Sequence, residues 1–134
     1  MISAGLGTRD YSGHVVVTLR GELDAAGAAA LMAVITAAMA RNPRIIADLA
    51  ALEYIDCCAL GVLGRVRAQA RQAGGDLLLA APHGLVRRIL TLTGLTGVFS
   101  IHASVNEAAR ATGYSCPQQD AKVTAGEPAP GTGR

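Results

Sequence analysis

Four short aliphatic runs recur along the chain: His14–Leu19 (HVVVTL), Arg44–Leu49 (RIIADL), Asp76–Ala80 around its three leucines, and Val98–His102. Stretches with helical spacing separate them. Strands joined through helices must cross over, so neighbouring strands run parallel and lie buried on both faces. This alternation predicts an α/β fold and excludes an all-helical bundle or a β-sandwich.

The helices carry recognisable ends. Asp24 is placed to cap a helix over Ala25–Arg41, where Leu31, Val34, Ile35, Ala38 and Met39 share one face. Asn42-Pro43 stops it. Ala50–Tyr54 reads as a turn, and Asp56 caps a second helix from Cys57 to Ala73. Leu60, Leu63, Val66 and Ala70 form its apolar side, and Gly74-Gly75 closes it. Pro82-His83-Gly84 leads into a third helix, with Leu85, Val86, Ile89 and Leu90 as core positions and Gly94 as the stop. Ser104 and Glu107 have capping-box spacing for a short fourth helix. Ile2–Arg9 is a weaker strand, expected to pair antiparallel with His14–Leu19 across a turn at Asp10–Gly13. From Gly113 onward the apolar period vanishes into Pro, Gly, Thr, Gln and Ala. The expected organisation is one domain over residues 1–112 and a disordered tail over 113–134.

Composition narrows the function. Half of the 134 residues are apolar, but the aromatics are only Tyr11, Tyr54, Phe99 and Tyr114, so the core must be built from Ala, Leu, Val and Ile. The net charge is +2, without a basic stripe or stacking platforms for nucleic acid. Arg65, Arg67 and Arg71 read as a solvated helix face. No apolar run is long enough to span a membrane, and the N-terminus has no secretory signal pattern. An odd cysteine count with two adjacent residues is no disulfide framework. These features place the chain in the cytoplasm, with neither nucleic acid nor membrane as partner.

Enzyme signatures are missing. The sequence has no GxxxxGK[ST], GxSxG or GxGxxG motif. His14, His83 and His102 are far apart and lack ligand neighbours at metal-binding spacing. His14 and His102 are expected at strand ends, and His83 at a helix start. Cys57-Cys58 is not CxxC, and a vicinal disulfide would strain the backbone. No catalytic residue, cofactor or metal is expected.

One segment stands out. Leu52-Glu53-Tyr54-Ile55-Asp56-Cys57-Cys58-Ala59-Leu60-Gly61-Val62-Leu63 follows a buried strand and opens a helix. Helix N-termini favour anions, including a side-chain phosphate. A small nucleophilic side chain in that first turn suits a phosphorylation switch that alters how the surface fits a partner.

Several segments in order then resemble one family. They are Leu19-Arg20-Gly21-Glu22-Leu23-Asp24, the strand Ile45-Ile46-Ala47-Asp48-Leu49, Tyr54 to Leu63, Gly94-Leu95, and Ser104-Val105-Asn106-Glu107-Ala108. Over Gly13–Thr112 the chain resembles a STAS domain, the fold of bacterial anti-sigma factor antagonists. The resemblance implies a single-domain mixed sheet of four to five strands with about four helices. It implies a monomer or weak homodimer whose partner is an anti-sigma factor of the ATPase, kinase-like type. Binding that partner frees a sigma factor. The family motif reads Asp-Ser-Ser-Gly or Asp-Ser-Thr-Gly, with the second hydroxyl as phosphoacceptor. Here Cys57 and Cys58 replace both hydroxyl residues and Ala59 replaces Gly, so Cys58 takes the phosphoacceptor position. The usual Ser/Thr switch is expected to be lost. The implied partner surface comprises Asp24, Glu53, Asp56, Cys57, Cys58, Ala59, Gly61 and Arg65. Asp24 and Asp56 also read as plain helix caps, and Gly61 as a residue allowing close helix–sheet approach. The cysteines read either as silent replacements or as a redox pair. In the redox reading the helix start lowers the thiol pKa and Cys116 is a disulfide partner. A STAS-like component of another signalling assembly is the other regulatory reading.

Overall fold

A computed structural model of the chain describes residues 5–111. The expected tail, Cys116 within it, and the start of the first strand lie outside the described residues. Five strands form one sheet in the order β1-β2-β3-β4-β5. They are β1 (Gly5–Tyr11), β2 (His14–Leu23), β3 (Arg44–Ile55), β4 (Asp76–Ala80) and β5 (Ser100–His102). The helices are α1 (Ala25–Arg41), α2 (Cys57–Gln72), α3 (Gly84–Leu92) and α4 (Val105–Ala111). β1 runs antiparallel to β2, and every later pair is parallel. The α/β mixed sheet with about four helices is thus the observed fold.

The β1–β2 hairpin turns on Ser12 and Gly13, at φ 50° and 80°. Left-handed backbone at both central residues is what a type I′ turn demands. Tyr11 consequently pairs directly with His14.

Spatial order equal to chain order has a consequence. When successive parallel crossovers share the usual right hand, their helices fall on one face of the sheet. The main core obeys this. Val15, Val17, Leu19, Ile45, Ala47, Leu77 and Leu79 of the strands meet Leu31 and Ile35 of α1, Leu63 and Val66 of α2, and Val86 and Leu90 of α3. The alternate strand residues Val16, Ile46, Leu78 and Ala80 form a smaller cluster with Ala108 and Ala109 of α4. Both faces of the central strands are therefore dry, as their unbroken aliphatic runs require.

Two expectations are corrected at the C-terminal ends of β2 and β3. β2 continues past Leu19 to Leu23, and Ala50–Tyr54 is no turn, because β3 continues to Ile55. The register between them shifts at Thr18/Arg20 and again at Gly21/Glu22. Gly21 adopts φ 76° there. Each irregularity inserts a residue and twists the pair. The buried positions Leu49, Leu52 and Ile55 consequently fall three apart. A period of two is the mark of a strand, so this stretch does not announce itself as one. The last strand is also shorter than expected. A 3-10 turn over Leu95–Gly97 precedes it, and Val98 is exposed.

The helix ends follow the sequence closely. At the end of α2, Gly74 at φ 91° permits two reversed bonds. Gly74 N–H donates to Arg71 O at 3.2 Å and Gly75 N–H to Ala70 O at 2.8 Å, a Schellman motif. At α4, Glu107 N–H donates to Ser104 Oγ at 3.1 Å.

Candidate functional site

The C-terminal edge of the sheet gathers the starts of α1 and α2. Asp24 Oδ1 accepts from Gly27 N–H at 3.2 Å, and Asp56 Oδ1 accepts from Ala59 N–H at 3.1 Å. Both are N-caps in extended backbone. Each satisfies a donor that the helix itself leaves open. The two caps are also joined. Leu23 pairs with Ile55, and Asp56 N–H donates to Leu23 O at 3.0 Å. The bulged extensions of β2 and β3 therefore lock the two helix starts side by side. Of the expected surface, Asp24, Asp56, Cys57 and Cys58 share this edge.

From Asp56 the chain divides sharply by face. Ala59, Leu60, Val62, Leu63 and Val66 are buried under the sheet. Cys57, Cys58, Gly61 and Arg65 are exposed. Helical spacing puts Cys58, Gly61 and Arg65 on one stripe. Glu53 is exposed near the end of β3, next to Tyr54 at 37 % exposure.

Two readings of individual residues need correction. Ala59, expected on the partner surface, has 0 % exposure. It is the third helical residue and its methyl group faces the core, so only its capped N–H belongs to the site. Gly61, expected to permit close helix–sheet approach, points to solvent instead. A Cβ there would meet only Arg65 Nη1, at 3.8 Å. Side chains on a helix lean toward its N-terminus, so Arg65 folds back over the bare Gly61 toward Cys58.

The electrostatics at Cys58 run against another expectation. A helix start ordinarily lowers a thiol pKa. At Cys58 the Asp56 carboxylate is the largest influence and pushes the thiol above its ordinary value. The Cys57 side chain, which hydrogen-bonds to it, adds in the same direction. A raised pKa keeps Cys58 a neutral thiol at neutral pH. Among the described residues, Cys57 and Cys58 form no disulfide.

The remaining candidates fall elsewhere. His14 opens β2 and His102 closes β5, so both are at strand ends. His83 precedes α3 without capping it; its Nε2 is 2.7 Å from Ala50 O, tying α3 to the bulged part of β3. Arg67 and Arg71 pair with Asp76 at 3.5 and 3.3 Å, across the end of α2, rather than forming a basic face with Arg65. Among the described residues no cluster of three or more metal ligands occurs, and no helix is long and apolar enough to cross a membrane.

Comparison with known proteins places this geometry. A family model described as the STAS domain matches residues 7–108. The chain belongs to the STAS family. It is 30 % identical over 105 residues to a Mycobacterium tuberculosis protein named an anti-sigma-F factor antagonist, covering 76 % of this chain and 82 % of that one. It superposes with a TM-score of 0.74 on the crystal structure of an anti-sigma factor antagonist from Mycobacterium paratuberculosis, at 29 % identity, covering 81 % and 93 % of the two chains. The fold is shared as well with a Bacillus cell-fate determinant solved in its phosphorylated form, at TM-score 0.62 and 23 % identity, covering 82 % of this chain and 99 % of that one. The two mycobacterial relatives are both named as anti-sigma factor antagonists.

Proposed function

We propose that the chain is a non-catalytic protein-binding regulator: an antagonist that binds an anti-sigma factor of the ATPase, kinase-like type and so favours release of a sigma factor. The surface is the start of α2 with the adjoining caps: Asp24, Glu53, Asp56, Cys57, Cys58, Gly61 and Arg65. The reading rests on the exposed Cys58 at the second residue of a capped helix, the position at which the family resemblance puts a phosphoacceptor hydroxyl. Ala59, Val62 and Val66, buried along one side of the stripe, anchor the helix on the core and leave that thiol facing outward. Antagonist names among the relatives support the partner class.

The same residue argues that the Ser/Thr switch is lost. A kinase of this type activates a hydroxyl for attack on the γ-phosphate, and Cys58 offers a protonated thiol instead. Binding then proceeds without phosphate control.

Binding of the full chain to a purified ATPase-type anti-sigma factor tests the partner. Cys58→Glu is the informative variant. A carboxylate in the first turn complements the helix dipole, so the fold survives, while charge enters the centre of the surface. Affinity should fall by at least about tenfold, or 1.4 kcal/mol, with an unchanged unfolding midpoint. Undiminished binding would overturn the surface. Incubation with the partner and ATP should leave the intact mass unchanged, whereas Cys58→Ser should gain a phosphate. A phosphate adduct on Cys57 or Cys58 of the natural chain would sink the lost-switch claim.

A further inference from the structure

Val86 and Leu90 of α3 are buried in the main core, which fixes the side of that helix facing the sheet. On its opposite side Leu85, Arg88 and Leu92 follow one another at helical spacing. Leu92 is 77 % exposed and Leu85 48 %, and Val98, just past the 3-10 turn that follows α3, is exposed as well. A single exposed leucine is ordinary on a protein surface. Here three of the four large hydrophobic residues exposed among the described residues belong to the segment 85–98, the fourth being Tyr54.

The same segment carries charge of one sign. Between Asp76 and Glu107 the chain has no carboxylate, and its arginines there are Arg87 and Arg88. Both are exposed, and neither has an ion-pair partner among the described residues. Arg41, Arg67 and Arg71 differ, since each is matched by an aspartate. Apolar surface bordered by unmatched cations complements apolar groups bordered by carboxylates. It disfavours a second copy of this chain, because a twofold contact through the patch would bring like charges together.

The patch adjoins the start of α2. α2 follows β3 and α3 follows β4, and these strands are parallel neighbours, so both helices begin at the same edge of the sheet. Both also pack on the same face of it. His83 Nε2, 2.7 Å from Ala50 O, ties the start of α3 to the bulged end of β3 that leads into Asp56. Cys58 and Leu85 are each the second residue of their helix. Leu85, Arg88 and Leu92 repeat the spacing of Cys58, Gly61 and Arg65. The two stripes therefore start from one edge and point away from one face of the sheet.

Resting on the reading that an anti-sigma factor binds the start of α2, we propose that the outer stripe of α3 is a second part of the same interface. The partner meets it with an apolar patch bordered by carboxylates, which Leu85 and Leu92 bury against and Arg88 pairs with.

The full-length chain is titrated with the purified ATPase-type anti-sigma factor by calorimetry at low salt. Leu92→Ala should weaken binding at least about fivefold, as truncation of a buried apolar anchor does. The side chain is exposed in the free chain, so the urea midpoint should not move. Arg88→Glu should weaken binding at least about tenfold, and added salt should shrink that loss. Arg110→Glu, the same reversal on α4 at the other face of the sheet, should leave affinity unchanged. If Leu92→Ala and Arg88→Glu bind like the parent while Cys58→Glu is weakened, the α3 surface is refuted and the α2 reading stands. If the parent does not bind, or Cys58→Glu also matches it, both fall. Equal losses in Arg110→Glu and Arg88→Glu would reduce the effect to net charge and overturn the α3 surface. Vesicles of phosphatidylglycerol and phosphatidylcholine in equal parts test the other occupant of a basic, apolar patch. Co-sedimentation that Leu92→Ala abolishes, with anti-sigma factor binding untouched by that variant, would assign α3 to a membrane surface instead.

Discussion

Asp56 does two separable things, and a pair of substitutions divides them. Its carboxylate accepts the Ala59 N–H at 3.1 Å, capping α2, and its charge is the main reason the Cys58 thiol is held high. In Asp56→Ala both are lost. Removing an N-cap costs about 1 kcal/mol. That lowers the melting temperature by about 4–8 °C for a domain near this size. With a urea slope of about 1–3 kcal/mol/M, the midpoint moves by about 0.3–1 M. Asp56→Asn keeps the cap, because Asn is as good an acceptor there. It loses only the charge's interaction with the helix dipole, about 0.3–1 kcal/mol at most. Both variants remove the carboxylate next to Cys58, so both lower the thiol's pKa. The assay joins a urea melt to the pH dependence of iodoacetamide alkylation, read at Cys57 and Cys58 separately by peptide mass. Asp56→Ala should be destabilised by about 1 kcal/mol more than Asp56→Asn, the cap's share, and Cys58 should alkylate at lower pH in both. If Asn destabilised as much as Ala, the cap would not be a hydrogen bond. If the Cys58 profile were unmoved in both, the charge argument would fail.

Two further tests concern backbone and burial. Gly75→Ala would drive a Cβ into Pro43 O, a backbone atom that already accepts from Asp76 N–H. The clash should cost about 1–3 kcal/mol, as overpacking does. Gly64→Ala, in mid-helix with nothing within 4 Å, should instead stabilise by about 0.5–1 kcal/mol. Urea midpoints check both, and a Gly75→Ala protein as stable as the parent would refute the packing at the end of α2. His14 gives the third test. Its folded pKa lies below the ordinary 6.5, so the unfolded chain takes up the proton first. Stability is whole above that value and falls as pH drops from about 7 toward the folded pKa. His14→Asn should flatten the urea-midpoint change between pH 7.5 and 5.5, and an unaltered slope would refute the burial argument.

Local chemistry explains why much of this protein is readable from its residues. Caps, glycine stops and aliphatic runs act over a few residues. Asp24, Asp56 and Ser104 therefore mark helix starts, and Gly74-Gly75 a helix end, without knowledge of the fold. The same holds for the position of Cys57 and Cys58 in the first turn of α2. The alternation of strand and helix also fixes the α/β class, since parallel strands need crossovers. What the residues do not reveal depends on partners distant in the chain. The strand character of Ala50–Tyr54 arises from pairing with the bulged end of β2, which breaks the period of two. Whether Ala59 and Gly61 face core or solvent follows from how α2 rolls on the sheet. The raised pKa at Cys58 follows from where the Asp56 carboxylate lies beside the thiol, which capping alone does not specify. The half-open cavity at His14 is further still from the sequence, because its lining is drawn from four strands, the turn after α2 and the end of α4. Sequence determined which segments can form and where they end; the sheet decided which of their side chains meet.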